Sequence, residues 1–87
     1  MLTAAATVPA PAADAPPGAA SCSGCHPAHA HADTPVPRLA GQNAGEIVAA
    51  MRAFRSGARS ATVMDRIAKG FSDDEVEAIA AWFETQP

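Results

Sequence analysis

The stretch Cys22-Ser23-Gly24-Cys25-His26 decides how the rest of the chain is organised. Two cysteines separated by two residues, with a histidine directly after the second, form the attachment signal for c-type haem. One helical turn places both thiols along one edge of a flat porphyrin, where each adds to a vinyl group as a thioether. The spacing therefore predicts one covalent haem c, with Cys22 and Cys25 as thioether residues and His26 as an axial iron ligand.

Two other kinds of site use the same residue types. A zinc site could be formed by Cys22, Cys25 and two of the histidines His26, His29 and His31. A redox dithiol of the thioredoxin type also uses a Cys-x-x-Cys pair, but it needs a strand–helix context that this alanine-rich chain does not offer. We favour covalent haem over both alternatives.

The length and composition fit a small domain built around a large apolar cofactor. Of 87 residues, 48% are hydrophobic, yet there are only three Phe, one Trp and no Tyr. Chains of this size bury only ~60–65% of their unfolded surface, and a porphyrin supplies the missing core. The net charge of −3 argues against nucleic acid as a partner. No run of 18 apolar residues is present, so we expect no membrane span.

The chain divides into a tail and one domain. Residues 1–16, rich in Ala and Pro, are predicted to be disordered, and residues 17–87 form the haem domain. Haem c is attached outside the cytoplasmic membrane in bacteria, so the motif predicts a periplasmic location. The first 20 residues carry no Lys or Arg, so the charged start of a signal peptide is missing.

Three main helices are predicted, and no segment alternates as a strand would, so the fold class is all-α. The first helix runs over residues 17–25. The second is capped by Asn43 and ended by Gly57, and the last begins after Ser72, whose capping box is completed by Glu75. The loop over residues 58–71 carries Met64, with a single helical turn predicted at 67–70.

Met64 is the predicted second axial ligand, because a loop side chain 38 residues beyond His26 can reach the opposite face of the haem. Met51 competes, but it lies on the apolar face of the second helix, where core packing is expected. His29 and His31 follow the proximal ligand too closely in the chain to reach the opposite face of the haem. Imidazole plus thioether closes the iron to substrates, so the chain is predicted to move electrons and not to be catalytic alone.

Two further features concern the surroundings of the haem. The other ring nitrogen of the proximal histidine needs an acceptor, and a carbonyl of the Pro37-Arg38-Leu39 loop is the natural candidate. Leu39 is then expected to pack on the porphyrin. Arg52, Arg55 and Arg59 are expected to form a solvated basic surface, and the alternative is that Arg55 or Arg59 reaches a haem propionate or an acidic partner.

These residues resemble the class I c-type cytochromes. The likeness includes the haem motif, Pro37-x-Leu39-x-Gly41, a loop methionine and an aromatic residue in the last helix. The resemblance implies a small class I cytochrome c fold, with helices and loops wrapped around one haem. It also implies that the carbonyl of Pro37 accepts the proton of the proximal histidine.

A narrower likeness covers residues 22–86. The runs 54–57 and 62–72 are similar to the haem subunit of flavocytochrome c sulfide dehydrogenase. This resemblance implies a heterodimer in which an FAD-containing subunit oxidises sulfide and the haem subunit passes electrons to a soluble cytochrome c or another acceptor. Pro27 replaces the glycine usual after the haem histidine, and the helix before the motif is short. The alternative is a free-standing periplasmic electron shuttle.

Overall fold

A computed structural model describes residues 15–27 and 36–87 of the chain and shows four α-helices within them. The helices are Ala19–Ser23 (α1), Ala44–Ser56 (α2), Met64–Ala68 (α3) and Asp73–Glu84 (α4). These two ranges contain no strand, which confirms the all-α prediction. Nearly all of the predicted tail, and both His29 and His31, lie outside the described residues.

Helix α2 begins and ends where its local signals predict. The Asn43 side chain accepts a hydrogen bond from the backbone N–H of Glu46 at 3.1 Å, which satisfies one of the free amides of the first turn. Gly57 ends the helix with a φ of 85°, a left-handed conformation that glycine adopts without strain. The sequence therefore determined both ends of this helix locally.

Helix α4 starts with the predicted capping box. The Ser72 hydroxyl accepts from the Glu75 amide at 3.2 Å, and the Glu75 carboxylate accepts from the Ser72 amide at 2.8 Å. The first turn also carries Asp73 and Asp74, whose negative charges lie at the positive end of the helix dipole. The helix then buries Val76, Ile79, Ala80 and Phe83 on one side.

The two short helices differ from the prediction. Helix α1 covers only Ala19–Ser23, although the amides of Cys25 and His26 still donate to the Cys22 carbonyl at 3.1 and 2.9 Å. Met64 does not lie in a loop, because it is the first residue of α3. The reason is that the carbonyl of Val63 already accepts from two following amides, so the turn starts earlier than predicted.

The core lies where α1, α2 and α4 meet. Its buried cluster consists of small and aliphatic residues with one aromatic ring: Ala19, Ile47, Ile79, Ala80 and Phe83. Gly18 precedes α1 with a φ of 93°, and a β-carbon there would lie 2.7 Å from Cε1 of Phe71. The start of α1 can therefore approach the rest of the core this closely only with glycine at that position.

Arg55 ties the end of α2 to the start of α4. Its guanidinium donates to Oδ1 of Asp73 at 2.7 Å and to the carbonyl of Phe71 at 2.9 Å. The hydrogen bond and the charge of Arg55 hold the pKa of Asp73 below its usual range. None of the helices described is long and apolar enough to cross a membrane.

Candidate haem site

A cavity of about 620 Å³ opens beside α1, and residues from every helix line it. This volume lies within the range of ~300–1,000 Å³ that is usual for ligand sites. All six residues predicted to contact haem are among its lining residues: Cys22, Cys25, His26, Pro37, Leu39 and Met64. The structure thus brings the predicted residues to one place, and their bonds to haem and iron stay predictions.

The Cys-x-x-Cys-His motif reaches the cavity through a tight turn at the end of α1. Because the amides of Cys25 and His26 both donate to the carbonyl of Cys22, the three side chains are held within one turn of backbone. Burial raises the pKa of the Cys22 thiol, and the neighbouring Cys25 raises it further. A redox dithiol requires an attacking thiol whose pKa is lowered, so this environment argues against the dithiol alternative.

His26 has a fixed hydrogen bond on one side of its ring. Its Nδ1 lies 2.6 Å from the carbonyl oxygen of Pro37. A carbonyl can only accept, so Nδ1 carries the proton and donates it, and Nε2 keeps its lone pair. This is the acceptor predicted for the proximal histidine, and such an outer contact orients a metal-binding imidazole.

Met51 and Met64 both line the cavity, so the lining alone does not assign the second axial ligand. Their backbones differ, however. Met51 lies inside the thirteen-residue α2, whereas Met64 begins the five-residue α3. A side chain on the shorter element can be displaced at smaller cost to the fold, which suits a residue that must adjust to a metal. Met64 remains the predicted ligand.

The walls of the cavity are apolar and are continuous with the core. Ile47 and Ile79 line the cavity and belong to the core cluster, and Phe71 lines the cavity and packs against that cluster. An apolar wall with thiols, an imidazole and thioethers at its rim is the lining that a covalent haem requires. The residues present therefore fit haem c.

The two candidate arginines have different surroundings. Arg55 is held by Asp73 and Phe71, whereas Arg59 lines the cavity with its guanidinium carbon 4.8 Å from the centre of the Phe54 ring. This cation–π contact places the Arg59 charge at the cavity rather than on α4. Of the two, Arg59 is therefore the candidate for a haem propionate.

A zinc site is tested only in part. Within residues 15–27 and 36–87, no three Cys, His, Asp or Glu side chains are close enough to hold a metal ion. His29 and His31, which the zinc alternative would use, lie outside those ranges.

Sequence reasoning missed Val36, Gln42 and Thr62, which also line the cavity. Gln42 additionally donates from its side-chain amide to the carbonyl of Arg38, which braces the turn that carries Leu39. The position of Gln42 between a left-handed glycine and a helix cap was an available signal of a structured turn. Thr62 begins the run 62–72 that resembles a haem subunit, whereas nothing in the sequence around Val36 distinguishes it from an ordinary loop residue.

Comparison with known proteins gives three informative relatives. The chain is 45% identical over 73 residues, 82% of its length, to the thiosulfate dehydrogenase electron acceptor of Stutzerimonas stutzeri, of which it covers 34%. It is 36% identical over 63 residues, 72% of its length, to the cytochrome subunit of sulfide dehydrogenase of Chlorobaculum tepidum, of which it covers 57%.

The third relative is nearer to the chain in length. The chain is 33% identical over 70 residues, 76% of its length, to cytochrome c-554(548) of Halomonas halodenitrificans, of which it covers 84%. It spans about a third to somewhat over half of the first two relatives. No protein-family profile matches the chain.

Proposed function

The chain belongs to the class I c-type cytochromes, and on that basis we propose that it is the haem c subunit that accepts electrons from a flavoprotein oxidising sulfide. Members of this family carry covalently bound haem c. When bound, haem c supplies reversible one-electron redox chemistry. The chain then passes the electrons to a soluble cytochrome c or another acceptor, and it is not catalytic alone.

The observation that carries an electron-transfer role is the convergence of the predicted ligands on one apolar cavity. Cys22 and Cys25 would hold the porphyrin, and His26 and Met64 would occupy both axial positions. The hydrogen bond from His26 to Pro37 fixes the orientation of the imidazole. With both axial positions filled by side chains, a substrate has no site at the iron, so only transfer of electrons through the haem edge remains.

Sulfur-compound oxidation is the process that the relatives support. One is named as an electron acceptor of thiosulfate dehydrogenase and another as a subunit of sulfide dehydrogenase. The FAD partner adds a physical argument: sulfide oxidation releases electrons in pairs, and a flavin can accept two and release them singly. We therefore propose a one-to-one complex with an FAD-containing subunit, located in the periplasm.

The test is reduction of the haem-loaded chain in the presence of the flavoprotein that copurifies with it. Sulfide should reduce the haem rapidly in the complex and far more slowly in the isolated chain. Thiosulfate is the comparison substrate, because it distinguishes a thiosulfate dehydrogenase partner from a sulfide dehydrogenase partner. Equal sulfide-dependent rates with and without the flavoprotein would overturn the proposed partner, and rapid reduction by thiosulfate would replace sulfide as the substrate.

A free-standing electron shuttle is the second candidate, and one observation favours it. Among the described residues, the only large apolar side chains that are exposed are Val63 and Ile67, and both line the cavity, so no wide apolar surface lies outside it. A permanently bound subunit usually presents a wider apolar area, whereas transient redox complexes bury less than ~1,200 Å². Stable copurification with a flavoprotein distinguishes the two candidates.

A further inference from the structure

We propose that segment 82–87, the last turn of α4 and the residues after it, adjusts the reduction potential of the haem by holding the turn 37–42 against His26. Arg38 and Gly41 are the positioning residues of this connection, because they act on the imidazole only through the Pro37 carbonyl. The inference rests on the proposed electron-transfer function, and it adds which part of the fold regulates how readily the haem takes up an electron.

The hydrogen bond between His26 and Pro37 lies at the surface. Nδ1 of His26 is 2.6 Å from the Pro37 carbonyl oxygen, and Pro37 is an exposed residue. Water can therefore compete for this carbonyl, and the net free energy of such a hydrogen bond is small. The position of the carbonyl thus has to be fixed by the backbone that carries it.

That backbone is a turn whose residues brace one another. The backbone amide of Gln42 donates to the Leu39 carbonyl at 3.0 Å, and the Gln42 side-chain amide donates to the Arg38 carbonyl. Gly41 has a φ of 81°, a left-handed conformation that glycine adopts without strain. Because the turn is braced in this way, a displacement at Gly41 is transmitted to the Pro37 carbonyl.

Hydrogen bonds fasten the turn to segment 82–87. The amide of Gly41 donates to the Phe83 carbonyl at 2.9 Å, and the guanidinium of Arg38 donates to the Pro87 carbonyl. Phe83 lies in the last turn of α4, so its carbonyl is one of those that no later amide within the helix reaches. The Phe83 side chain belongs to the buried core. The turn is therefore attached to a residue that the core holds in place.

A small cavity lies between His26 and the same segment. Its volume is about 230 Å³, and its lining includes His26 together with Trp82, Phe83 and Gln86. Since there is open space between the imidazole and α4, direct packing against the helix does not hold the ring from this side. The position of α4 reaches the imidazole through the turn and the Pro37 carbonyl.

The contacts of Arg38 and Gly41 lie outside the cavity that would hold the haem. Pro37, Leu39 and Gln42 line that cavity, whereas Arg38 and Gly41 do not. The hydrogen bonds to Phe83 and Pro87 are therefore compatible with a bound haem.

The direction of the effect follows from the chemistry of the imidazole. When Nδ1–H of His26 donates to a well-placed acceptor, the ring becomes a more basic ligand. A more strongly donating axial ligand favours ferric iron and lowers the reduction potential. A displaced Pro37 carbonyl should therefore raise the potential, although no iron ligand has been changed.

The first experiment compares Gly41→Ala with Gly57→Ala in the haem-loaded chain. The two glycines have similar φ values, 81° and 85°, and neither added β-carbon lies closer than 3.6 Å to another listed group. Both variants should lose similar stability, but only Gly41→Ala disturbs the turn. It should shift the equilibrium constant for reduction by a reference dye ~3-fold towards the ferrous protein, a size expected when part of one hydrogen bond is lost. Equal potentials in the two variants would refute the proposal.

A second measurement on the same variants follows the hydrogen bond itself. In the reduced, haem-loaded chain with ¹⁵N-labelled histidine, the Nδ1 proton of His26 should exchange with solvent faster in Gly41→Ala than in Gly57→Ala. A general loss of stability does not produce this difference, because both variants lose similar stability. Equal exchange rates would also contradict the proposal.

Variants of Arg38 separate positioning from charge. Loss of a positive charge near the haem favours ferric iron and lowers the potential, whereas release of the turn raises it. Arg38→Met should therefore raise the potential, and Arg38→Lys, which keeps the charge and a donor, should largely restore it. These variants do not strain the backbone, so they decide the proposal even if Gly41→Ala takes up no haem. A lower or unchanged potential in Arg38→Met would overturn it.

These experiments use neither sulfide nor its flavoprotein. A failure of the proposed partner is therefore measured separately from a failure of the connection between α4 and His26.

Discussion

Nδ1 of His26 lies 2.6 Å from the carbonyl oxygen of Pro37, eleven residues further along the chain. This contact selects one tautomer of the imidazole and limits rotation of the ring. The nitrogen that keeps its lone pair, Nε2, is then the only one that can bind a metal. Because the acceptor is a backbone carbonyl, it carries no charge that a change of pH could remove.

Covalent attachment is tested by extraction. The chain exported to the periplasm should keep its haem through acid–acetone extraction, because thioether bonds to Cys22 and Cys25 survive this treatment. Replacing both cysteines with Ser should release the haem into the solvent. Ser23→Ala, between them, is the control and should retain it. Release of haem from the unmodified chain, or isolation of a colourless zinc protein, would disprove the central assignment.

The second axial ligand is tested by comparing two methionine variants. Met64→Ala should open the sixth coordination position, so that carbon monoxide binds readily to the reduced protein and the reduction potential falls. Met51→Ala should keep the low-spin spectrum and lower the free energy of unfolding by about 2 kcal/mol, the lower end for a core truncation, because Met51 is only partly buried. The reverse pattern would assign the ligand to Met51.

Gly18 is predicted to be intolerant of any side chain. Gly18→Ala places a β-carbon 2.7 Å from Phe71 and also strains a φ of 93°, so it should cost ~2–5 kcal/mol of stability. Gly57→Ala is the matched control, because Gly57 has a φ of 85° but no atom within 4 Å of the added carbon. It should cost only ~1–2 kcal/mol. Similar losses in thermal melts would show that the contact with Phe71 is unimportant.

The ion pair of Arg55 and Asp73 predicts a dependence of stability on pH. The pKa of Asp73 in the folded state is lowered from 3.8. The contribution of the ionised Asp73 to the free energy of unfolding is therefore complete above pH 3.8 and is lost as the pH falls through the folded-state pKa. Asp73→Asn should therefore reduce the decrease in the free energy of unfolding that occurs as the pH is lowered. Asp74→Asn, in the same turn of α4 but at a residue with no ion pair among the described residues, should change the acid side less than Asp73→Asn does. Denaturant midpoints between about pH 2 and 5 measure the difference.

Both ends of α2 and the start of α4 were predictable because their signals are local. Asn43, Gly57, Ser72 and Glu75 act through contacts within four residues, and the structure shows each of them as predicted. The start of α3 was not predictable in this way. Its N-cap residue, Val63, makes no side-chain hydrogen bond, so the sequence carries no capping signal there.

The site was predictable as a set of residues and not as a set of tertiary contacts. Cys22, Cys25 and His26 follow from a short-range motif and Pro37 follows from the resemblance to class I cytochromes, and all four line the cavity. In contrast, the sequence left Arg55 and Arg59 equivalent. Only the packing of α2 against α4 shows that Arg55 is bound to Asp73 and that Arg59 faces the cavity.

The brevity of α3 has a consequence for motions within the native state. With five residues and no side-chain cap, this helix lacks the length at which helices are stable on their own. Its amides should therefore exchange with solvent through local opening, at a much lower free energy than global unfolding. Bonding of Met64 to the iron would oppose that opening, so amide exchange in α3 should be slower in the reduced protein, whose iron binds a thioether more strongly.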